Sequence, residues 1–462
     1  MTQAPSETLP PETKLALAGV LLGTVLQAID GSIVNVALPR LLETVGGSVS
    51  EVGWVVTSYA LASLVSMPLA PALAARFGLR VYFAGSVLVF VAASVGCALS
   101  GSLLSLIAFR VLQGLAAGGL WPLSQGIFMT LFAGERRGTA VALAGFAGVL
   151  GPLSGPPIGG LLTDAFGWRS IFWINLPLGL VSLFLVWRYL RLGAESEAHP
   201  ERRQARLDLT GAALLAAAVC ALQVGCAHHP WLFPAAGLFA WLFFRHEKRT
   251  DLPAVDLRVI QHGPLARTLL AAPLYGACLY TSVFLLPILL ESELHQSASA
   301  AGLVVAIGGV TSAVAILSSQ PLLRRFNAAK ICAVGAGLFF VAMLLLARVA
   351  HDGAGDALFP QALRGLGTGL CYVGMNGFAF ALMSGRDSAT SASLFYLSRQ
   401  LGGSVGIALS ASAIDAFGGP RASTYGFVAL ALAAPLSVVP IVWRARRKPG
   451  KPRAPDSITS VE

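Results

Sequence analysis

The sequence predicts an all-α membrane protein with fourteen transmembrane helices, and three observations support this fold class. Hydrophobic residues make up 55% of the chain and charged residues only 12%, whereas soluble domains carry about 25% charged residues. The apolar residues form blocks long enough to cross ~30 Å of hydrocarbon as helices. The basic residues concentrate in alternate loops, which is typical of a multi-spanning protein.

The predicted spans follow one another along the chain, with the longest connections at residues 189–207 and 246–264. The eighth is the shortest, and we expect Pro234 to interrupt it. The spans are residues 15–38, 51–75, 81–100, 103–131, 138–162, 168–188, 208–226, 231–245, 265–290, 299–320, 328–348, 357–383, 388–414 and 423–443.

Lysine and arginine residues test this count, because cytoplasmic loops are enriched in them. With a cytoplasmic N-terminus, fourteen spans leave only Arg40, Arg169, Arg348 and Arg421 on the outer side. Without the eighth span, every later loop would turn over and the basic tail would lie outside. The sequence therefore predicts that both termini are cytoplasmic. This topology explains the net charge of +10, so nucleic acid is not an expected partner.

The predicted organisation is two blocks of six spans separated by an extra pair. Arg110 lies in the fourth span of the first block and Arg364 in the fourth span of the second, and a glycine-rich stretch follows each. Repeated halves around a midplane site are typical of secondary transporters. The predicted segments are an N-terminal cytoplasmic tail 1–14, a six-helix bundle 15–190, linkers with two extra helices 191–264, a six-helix bundle 265–444 and a basic cytoplasmic tail 445–462.

Ionisable residues are scarce inside the spans, the main ones being Asp30, Arg110, Arg364 and Arg399. Such residues face the bundle interior and have a partner or a function. Asp30 and Arg110 lie at matching depths, ~10–12 Å below the outer face at 1.5 Å per residue. One interpretation is a proton site, whose carboxyl group is balanced between burial and a nearby arginine. The other is a fixed ion pair that joins two helices.

The fifth span ends in a stretch rich in glycine and proline. Gly151, Gly155 and Gly159 recur every four residues and Gly160 follows them, so one helical face lacks side chains and another helix can approach it closely. Pro156 favours a kink in this helix. Tight packing and a moving hinge both need these features, and both interpretations remain open.

Several chemistries lack their sequence signatures. The chain has no phosphate-binding Gly-x-x-x-x-Gly-Lys-Ser/Thr loop, no zinc-binding spacing and no nucleophile elbow. Its six cysteines lie in apolar stretches and are expected to be packing residues. The sequence therefore predicts no enzymatic activity, no metal and no cofactor, with a proton gradient as the energy source.

Five sequence motifs resemble the major facilitator superfamily and, within it, the fourteen-span drug:proton antiporters of the Emr type. They occupy residues 30–39, 110–114, 151–160, 168–177 and 399–403. The resemblance implies the major facilitator fold, with two six-helix bundles and two inserted helices. It also implies alternating-access export of hydrophobic or cationic drug-like molecules across the bacterial inner membrane, coupled to protons through Asp30 and Arg110.

The loop between the second and third spans departs from the family pattern. Pro71 and Ala75 stand where the family usually has glycine and aspartate. The charge relay that centres on that aspartate is therefore in doubt, and we expect Arg76 and Arg80 to act at helix ends instead. The Emr-type resemblance also implies a periplasmic adaptor and an outer-membrane channel as candidate partners, besides the lipid bilayer, protons and a small-molecule substrate.

The remaining candidates are a substrate cavity and a set of gating or packing positions. Cavity candidates are Gln27, Asn35, Trp54, Tyr59, Gln125, Tyr275, Tyr280, Phe284, Asn376 and Tyr396. Gating or packing candidates are Arg76, Gly78, Arg80, Gly151, Gly155, Pro156, Gly159, Gly160, Arg364 and Arg399. A dedicated exporter or importer of one metabolite, siderophore or antibiotic is the nearest alternative function. A membrane-embedded enzyme or sensor is a remote one.

Overall fold

The structure is a computed structural model that describes residues 10–131, 137–190, 208–227, 229–250, 263–352, 356–380, 386–417 and 422–445. The secondary structure of these residues is helical. The α-helices are α1 Pro11–Val45, α2 Val49–Ser66, α3 Ala70–Phe77, α4 Leu79–Leu99, α5 Leu103–Ala117, α6 Leu120–Leu131, α7 Arg137–Phe166, α8 Ser170–Trp173, α9 Asn175–Tyr189, α10 Leu209–Ala227, α11 Phe233–Glu247, α12 Gly263–Pro287, α13 Ala298–Leu317, α14 Ser319–Arg325, α15 Ala328–Asp352, α16 Leu358–Phe380, α17 Arg386–Phe417 and α18 Ala422–Ala445.

Each predicted span overlaps one helix or two consecutive ones. The second span divides into α2 and α3 around a 3₁₀ turn, Met67–Leu69. Pro68 and Pro71 lie at this break, where each removes a backbone hydrogen-bond donor. Most of the predicted tail 1–14, the linker 191–207 and the tail from residue 446 lie outside the described residues, although α1 already begins at Pro11.

Ten helical segments in the described part of the chain are long and apolar enough to cross a membrane. The helices α7, α11, α16 and α17 are not among them. Helix α11 has 15 residues and is therefore ~22 Å long, shorter than the hydrocarbon layer. Pro234 does not interrupt α11 as the sequence predicted, because it lies in the first turn, where proline is tolerated. The count of fourteen spans stays a prediction.

The helix that contains the first predicted span extends past the predicted end of the span at residue 38. Helix α1 continues through Pro39 to Val45. Gly46, with a φ of 76°, ends the helix, and its N–H donates to the Leu42 carbonyl oxygen at 3.0 Å. Helix α2 begins after a short connection, with Ser48 and Glu51 forming a capping box. We call this end of the bundle the predicted outer end.

The two six-helix blocks pack against each other with a reciprocal pattern. Helix α7, the fifth span of the first block, packs against α13, the second span of the second block. Helix α2, the second span of the first block, packs against α17, the fifth span of the second. The same two positions therefore meet on both sides of the interface, as expected for two repeated halves.

The extra helices α10 and α11 pack on each other, and α10 also packs on α2 and α17. The extra pair thus lies along one of the two seams between the blocks. The Gln223 side-chain amide donates to the Ser404 carbonyl oxygen at 3.2 Å, which attaches α10 to α17.

The largest hydrophobic core joins the two blocks at the predicted outer end. It contains Val34 and Val55 from the first block together with Phe284 and Phe427 from the second. Burial of apolar side chains is the main favourable term in such packing. The two blocks are therefore closed against each other at this end.

Two further cores each belong to a single block. One contains Phe83 and Leu120 of the first block, and the other contains Cys332 and Phe395 of the second. Both include residues near the opposite end of the bundle, such as Leu190. The packing between the blocks is therefore asymmetric between the two ends of the molecule.

Candidate functional site

Asp30 lies at the centre of a buried polar network in the first block. Its side chain is 0% exposed. Oδ2 accepts a hydrogen bond from Arg110 at 2.6 Å, and Oδ1 accepts from Gln113 at 3.0 Å and from Asn175 at 2.7 Å. The structure thus brings Asp30 and Arg110 into direct contact and gives the carboxylate three donors.

Arg110 is also held on its other sides. Its Nε donates to the Val55 carbonyl oxygen at 2.9 Å, and its NH1 donates to Gln113 at 2.6 Å. The guanidinium lies over the Tyr59 ring, 4.1 Å from the centroid, a distance at which cation–π attraction is favourable. A buried arginine with these partners has little freedom to move while Asp30 is charged.

The network draws its residues from five helices, α1, α2, α4, α5 and α9. Ser94 of α4 completes it by accepting from Gln113 at 2.6 Å and from Asn175 at 3.0 Å. Such satisfaction is what a buried ion pair requires. Protonation of Asp30 would remove the charge that attracts Arg110, so these helices would lose part of their mutual attraction. The geometry is compatible with a proton site and with a fixed ion pair.

The second block contains a buried arginine in a different setting. Arg364 is 4% exposed. Its Nε donates to Gln361 at 2.7 Å and its NH1 donates to Ser282 at 3.1 Å. The ion pairs among the described residues do not include Arg364, so the partners that the structure gives it are neutral.

Three of the candidate residues form a cationic aromatic cluster in the second block, together with Tyr372. The Arg399 guanidinium lies 5.1 Å from the Tyr396 ring centroid and 5.8 Å from those of Tyr280 and Tyr372. Its Nε is buried without a hydrogen-bond partner. Tyr275 lies nearby on α12 and donates to the Thr368 carbonyl oxygen at 3.1 Å. We call Arg399 with Tyr280, Tyr372 and Tyr396 the tyrosine cluster.

The first block contributes two further cavity candidates near the Asp30 network. The Tyr59 hydroxyl donates to the Gln27 carbonyl oxygen at 3.4 Å. The Gln27 side-chain oxygen is buried without a partner. Asn35 donates to the Ser32 carbonyl oxygen at 3.3 Å on its own helix.

Of the other cavity candidates, Phe284, Trp54 and Gln125 lie apart from the tyrosine cluster. Asn376 contacts the backbone of one residue of the cluster. Phe284 is 1% exposed and belongs to the core that joins the blocks. Trp54 packs with Val219 of α10. Asn376 donates to the carbonyl oxygen of Tyr372 at 2.8 Å, and Gln125 is half-buried on α6.

The glycine face of α7 lies against α1 and α13. A side chain at Gly151 would approach the Ala28 carbonyl oxygen to 2.5 Å, and one at Gly159 would approach Ile33 to 2.6 Å. Gly155 faces Ser32 in the same way, and Gly160 faces the backbone of Ala298 in the other block. The close helix approach that the sequence indicates is present.

The remaining residues of this stretch and of the second loop have structural contacts. The Pro156 carbonyl oxygen lies against Gly302 of the second block. Gly78 has a φ of 84° between α3 and α4, a conformation that favours glycine. Arg76 lies in the last turn of α3. Arg80 donates to the Trp187 carbonyl oxygen near the end of α9, a favourable place for a cation.

Two carboxylates connect the blocks at the predicted outer end. Asp164, near the end of α7, accepts from the backbone N–H of Ser299 at 2.8 Å and from its hydroxyl. Asp415, near the end of α17, accepts from the backbone N–H groups of Val49 and Ser50 at 3.0 and 2.8 Å. Each carboxylate caps the first turn of a helix in the opposite block. We call these contacts the two outer latches.

Sequence reasoning missed the residues that complete the Asp30 network and one further acid. Gln113 and Asn175 stood in motifs without an assigned role, although an amide inside an apolar span is itself a signal of a buried polar contact. Ser94 gives no such signal. Glu291 was excluded because the ninth span was predicted to end at residue 290, whereas a π-helix, Ile288–Glu293, continues it.

The chain is also similar to known proteins in sequence and in fold. The family model described as Major Facilitator Superfamily matches residues 20–407 and 268–460. The chain is 32% identical over 414 residues to the "Multidrug resistance protein B homolog" of Mycobacterium tuberculosis (strain ATCC 25618 / H37Rv), covering 86% of this chain and 75% of the relative.

A second relative and a solved structure extend the likeness. The chain is 29% identical over 406 residues to the "Multidrug export protein EmrB" of Escherichia coli (strain K12), covering 84% of this chain and 78% of the relative. A crystal structure of a D-xylose-proton symporter superposes with a TM-score of 0.70 at 15% identity, covering 94% of this chain and 97% of the other. At that identity, the superposition shows the fold.

Proposed function

Because the chain belongs to the major facilitator superfamily and is similar to EmrB-type multidrug proteins, we propose that it is a proton-coupled exporter of hydrophobic, drug-like molecules. The observation that carries the proposal is the Asp30 network, in which a buried carboxylate accepts hydrogen bonds from Arg110 and Gln113 of α5 and from Asn175 of α9. A group of this kind changes the packing of the first block when it gains or loses a proton. The class of the proposed cargo, drug-like molecules, is inferred from the names of the similar proteins.

The proposed topology places fourteen helices in a bacterial inner membrane with both termini in the cytoplasm. The segments are those predicted from the sequence, with bundles at 15–190 and 265–444 around the extra pair. The alternation of basic loops supports this orientation. The location of α10 between α2 and α17 supports an inserted pair that leaves the two bundles intact.

The proposed mechanism is alternating access, in which the two blocks rock around a central site. The two outer latches and the shared core support assignment of this conformation to the state that is closed on the outside. Cargo would enter from the cytoplasmic side and contact the tyrosine cluster, since aromatic walls with a few polar groups are usual for ligand pockets.

In the proposed exchange, Asp30 binds a proton from the outer side and releases it to the cytoplasm. In the conformation described here, the carboxylate is saturated with donors and therefore suited to the charged form. In the outward-facing conformation, a loosened contact with Arg110 would favour the protonated form. The coupled proton then moves inward as cargo moves outward, and no cofactor takes part.

The test is transport by purified protein in liposomes with an imposed pH gradient. With the vesicle interior acidified, protein whose cytoplasmic face is on the outside should accumulate a lipophilic dye, and collapse of the gradient should abolish accumulation. Protein-free liposomes are the control for passive partition. Accumulation that is unaffected by collapse of the gradient would contradict proton coupling, and a chain that moves none of a panel of drugs would favour a dedicated carrier of one metabolite.

A second candidate cargo is an amphipathic anion, such as a fatty acid. Arg399 gives the tyrosine cluster a cation, and its Nε has no hydrogen-bond partner in the structure. The chain is also 30% identical over 423 residues to the "Fatty acid resistance protein FarB" of Neisseria gonorrhoeae, covering 87% of this chain and 81% of the relative. In the same vesicles, competition by decanoate but not by tetraphenylphosphonium would favour the anion, and the reverse would favour a cationic drug.

A periplasmic adaptor and an outer-membrane channel are proposed partners on the likeness to EmrB-type proteins alone. Cross-linking in cells, followed by purification of this chain, would capture an adaptor if one binds. Full drug resistance in a strain without any adaptor would contradict the requirement.

A further inference from the structure

We propose that Glu291 is a second protonation site, distinct from Asp30, which holds the outer face closed when it carries a proton and opens it when it is charged. The inference rests on the alternating access of the proposed function but not on the identity of the cargo. It concerns a residue that the exchange at Asp30 does not use.

The first observation is the burial of the Glu291 carboxyl group without a partner. The residue is 9% exposed, and neither Oε1 nor Oε2 has a hydrogen-bond partner in the structure. A buried carboxylate in the charged form is strongly disfavoured when nothing pairs with it. The protonated form is the one that fits this conformation.

The second observation is the position of Glu291 at the interface that closes. It lies in the π-helix Ile288–Glu293, which packs against α1 of the opposite block and against α13. Its neighbours Leu289 and Leu290 are fully buried in the core that joins the blocks. Separation of the blocks at this end would expose the carboxyl group to water. π-helical turns within longer helices are frequent at functional sites.

The third observation is the charge environment. Helix α1 brings Arg40 and Glu43, and α7 brings Asp164, close enough to act electrostatically on Glu291. Arg40 forms an ion pair with Glu43 at 3.0 Å, and both are largely exposed, so this cation is screened and already occupied. The two other acids oppose a negative charge on Glu291.

The remaining groups around the site do not compensate a charge. Glu293 of the same π-helix accepts hydrogen bonds from the Ser423 N–H and hydroxyl at 3.2 and 2.7 Å. His295 is exposed in the following connection. Helix α13 has no ionisable side chain between Ala298 and Leu317.

The direction of the pH dependence follows from the linkage between proton binding at Glu291 and closure of the outer face. Closure of the outer face buries Glu291 and therefore takes up one proton from the outer solution, and opening returns that proton to the same side. Low external pH thus favours closure. Because the proton returns to the side from which it came, Glu291 regulates opening and does not carry the transported proton.

The experiment measures outer opening as a function of pH in purified full-length protein in lipid nanodiscs. Spin labels replace Phe166 of α7 and Phe359 of α16, which are exposed in opposite blocks, in a background that lacks the six native cysteines. No cargo is added, so a failure of the drug-export proposal, which the vesicle assay detects, is separate from a failure here.

Because protonation of Asp30 in the proposed exchange favours the outward-facing conformation, every variant in this experiment also carries Asp30→Asn. In this background with native Glu291, the ratio of short to long label distances should rise as the pH falls, by up to about tenfold per pH unit for one linked proton. Glu291→Gln should remove this dependence and keep the outer face closed. Glu291→Leu, whose side chain cannot form hydrogen bonds, should do the same. The matched control is Glu293→Gln, which removes an acid two residues away and should keep the dependence.

Three results would overturn the proposal. One is a distance distribution in the native-Glu291 protein that does not change with pH. The second is a pH dependence that persists in Glu291→Gln and in Glu291→Leu. The third is loss of the dependence in Glu293→Gln to the same extent as in Glu291→Gln.

Discussion

Each block of this transporter contains a buried arginine at a corresponding position, Arg110 in the first and Arg364 in the second, but the partners of the two arginines differ. Arg110 contacts the carboxylate of Asp30 at 2.6 Å. Arg364 contacts a glutamine and a serine. The first arginine therefore pairs with an ionisable carboxyl group, whereas the contacts that the structure gives the second do not include such a group.

This difference shows how a repeated fold can divide its tasks. In the proposed mechanism, the first block contains the carboxyl group that exchanges protons, and the second contains a cationic aromatic cluster formed by residues of α12, α16 and α17. The extra pair and the reciprocal seams hold the two blocks together. Coupling of proton exchange to transport then requires that protonation in the first block alters the access of cargo to the tyrosine cluster in the second.

The largest expected effect separates the two arginines by stability. Arg110→Gln leaves Asp30 buried without its cation and should cost about 3–5 kcal/mol of unfolding free energy. Arg364→Gln is the matched control and should cost about 1–3 kcal/mol, because it removes only hydrogen bonds to neutral groups. Denaturant unfolding in detergent measures both variants. Equal losses of unfolding free energy in the two variants would contradict the difference between the two arginines.

The next effect separates transport from folding. Asp30→Asn keeps the shape of the side chain but removes its charge, so gradient-driven export should fall by roughly 100-fold, within the usual range of coupling energies, while membrane insertion is unchanged. Glu12→Gln removes an exposed acid from the first turn of the same helix and serves as the control with normal export. Undiminished pH-driven export by Asp30→Asn would show that the ion pair is structural.

The smallest effect concerns the two outer latches, which are equivalent by position in the two blocks. Asp164→Ala or Asp415→Ala removes a cap across the interface and should shift the equilibrium toward outer opening by about fivefold, from a cap energy near 1 kcal/mol. Asp356→Ala removes a cap within one block, at the Leu358 N–H, and should leave the equilibrium unchanged. Distances between labels at Phe166 and Phe359 measure all three. A shift for only one latch would show that the blocks are not equivalent there.

The sequence was sufficient for the helical membrane fold and for the Asp30–Arg110 contact. Long apolar blocks are expected to form helices in lipid, and two opposite charges at equal depth in the membrane are expected to pair. The glycine face of α7 was equally readable, because a repeat of four residues places small residues on one side of a helix.

Other features depend on partners that are distant along the chain. Helix α1 continues past Pro39, and Pro234 lies in the first turn of α11. Both features depend on packing and on where the helices begin and end. Asn175 and Ser94 join Asp30 only because α4 and α9 lie beside α1 and α5. Glu291 looked like the end of a span, and its burial follows from the π-helix and the opposite block.

The central claim is that Asp30 exchanges its proton for cargo. The most direct measurement is the number of protons released when the cargo found in the vesicle assay binds to purified protein in weakly buffered detergent. We expect release of about one proton per cargo molecule in the pH range in which the vesicle assay shows gradient-driven transport, and none from Asp30→Asn. Equal proton release from Asp30→Asn and from protein with native Asp30 would contradict the claim.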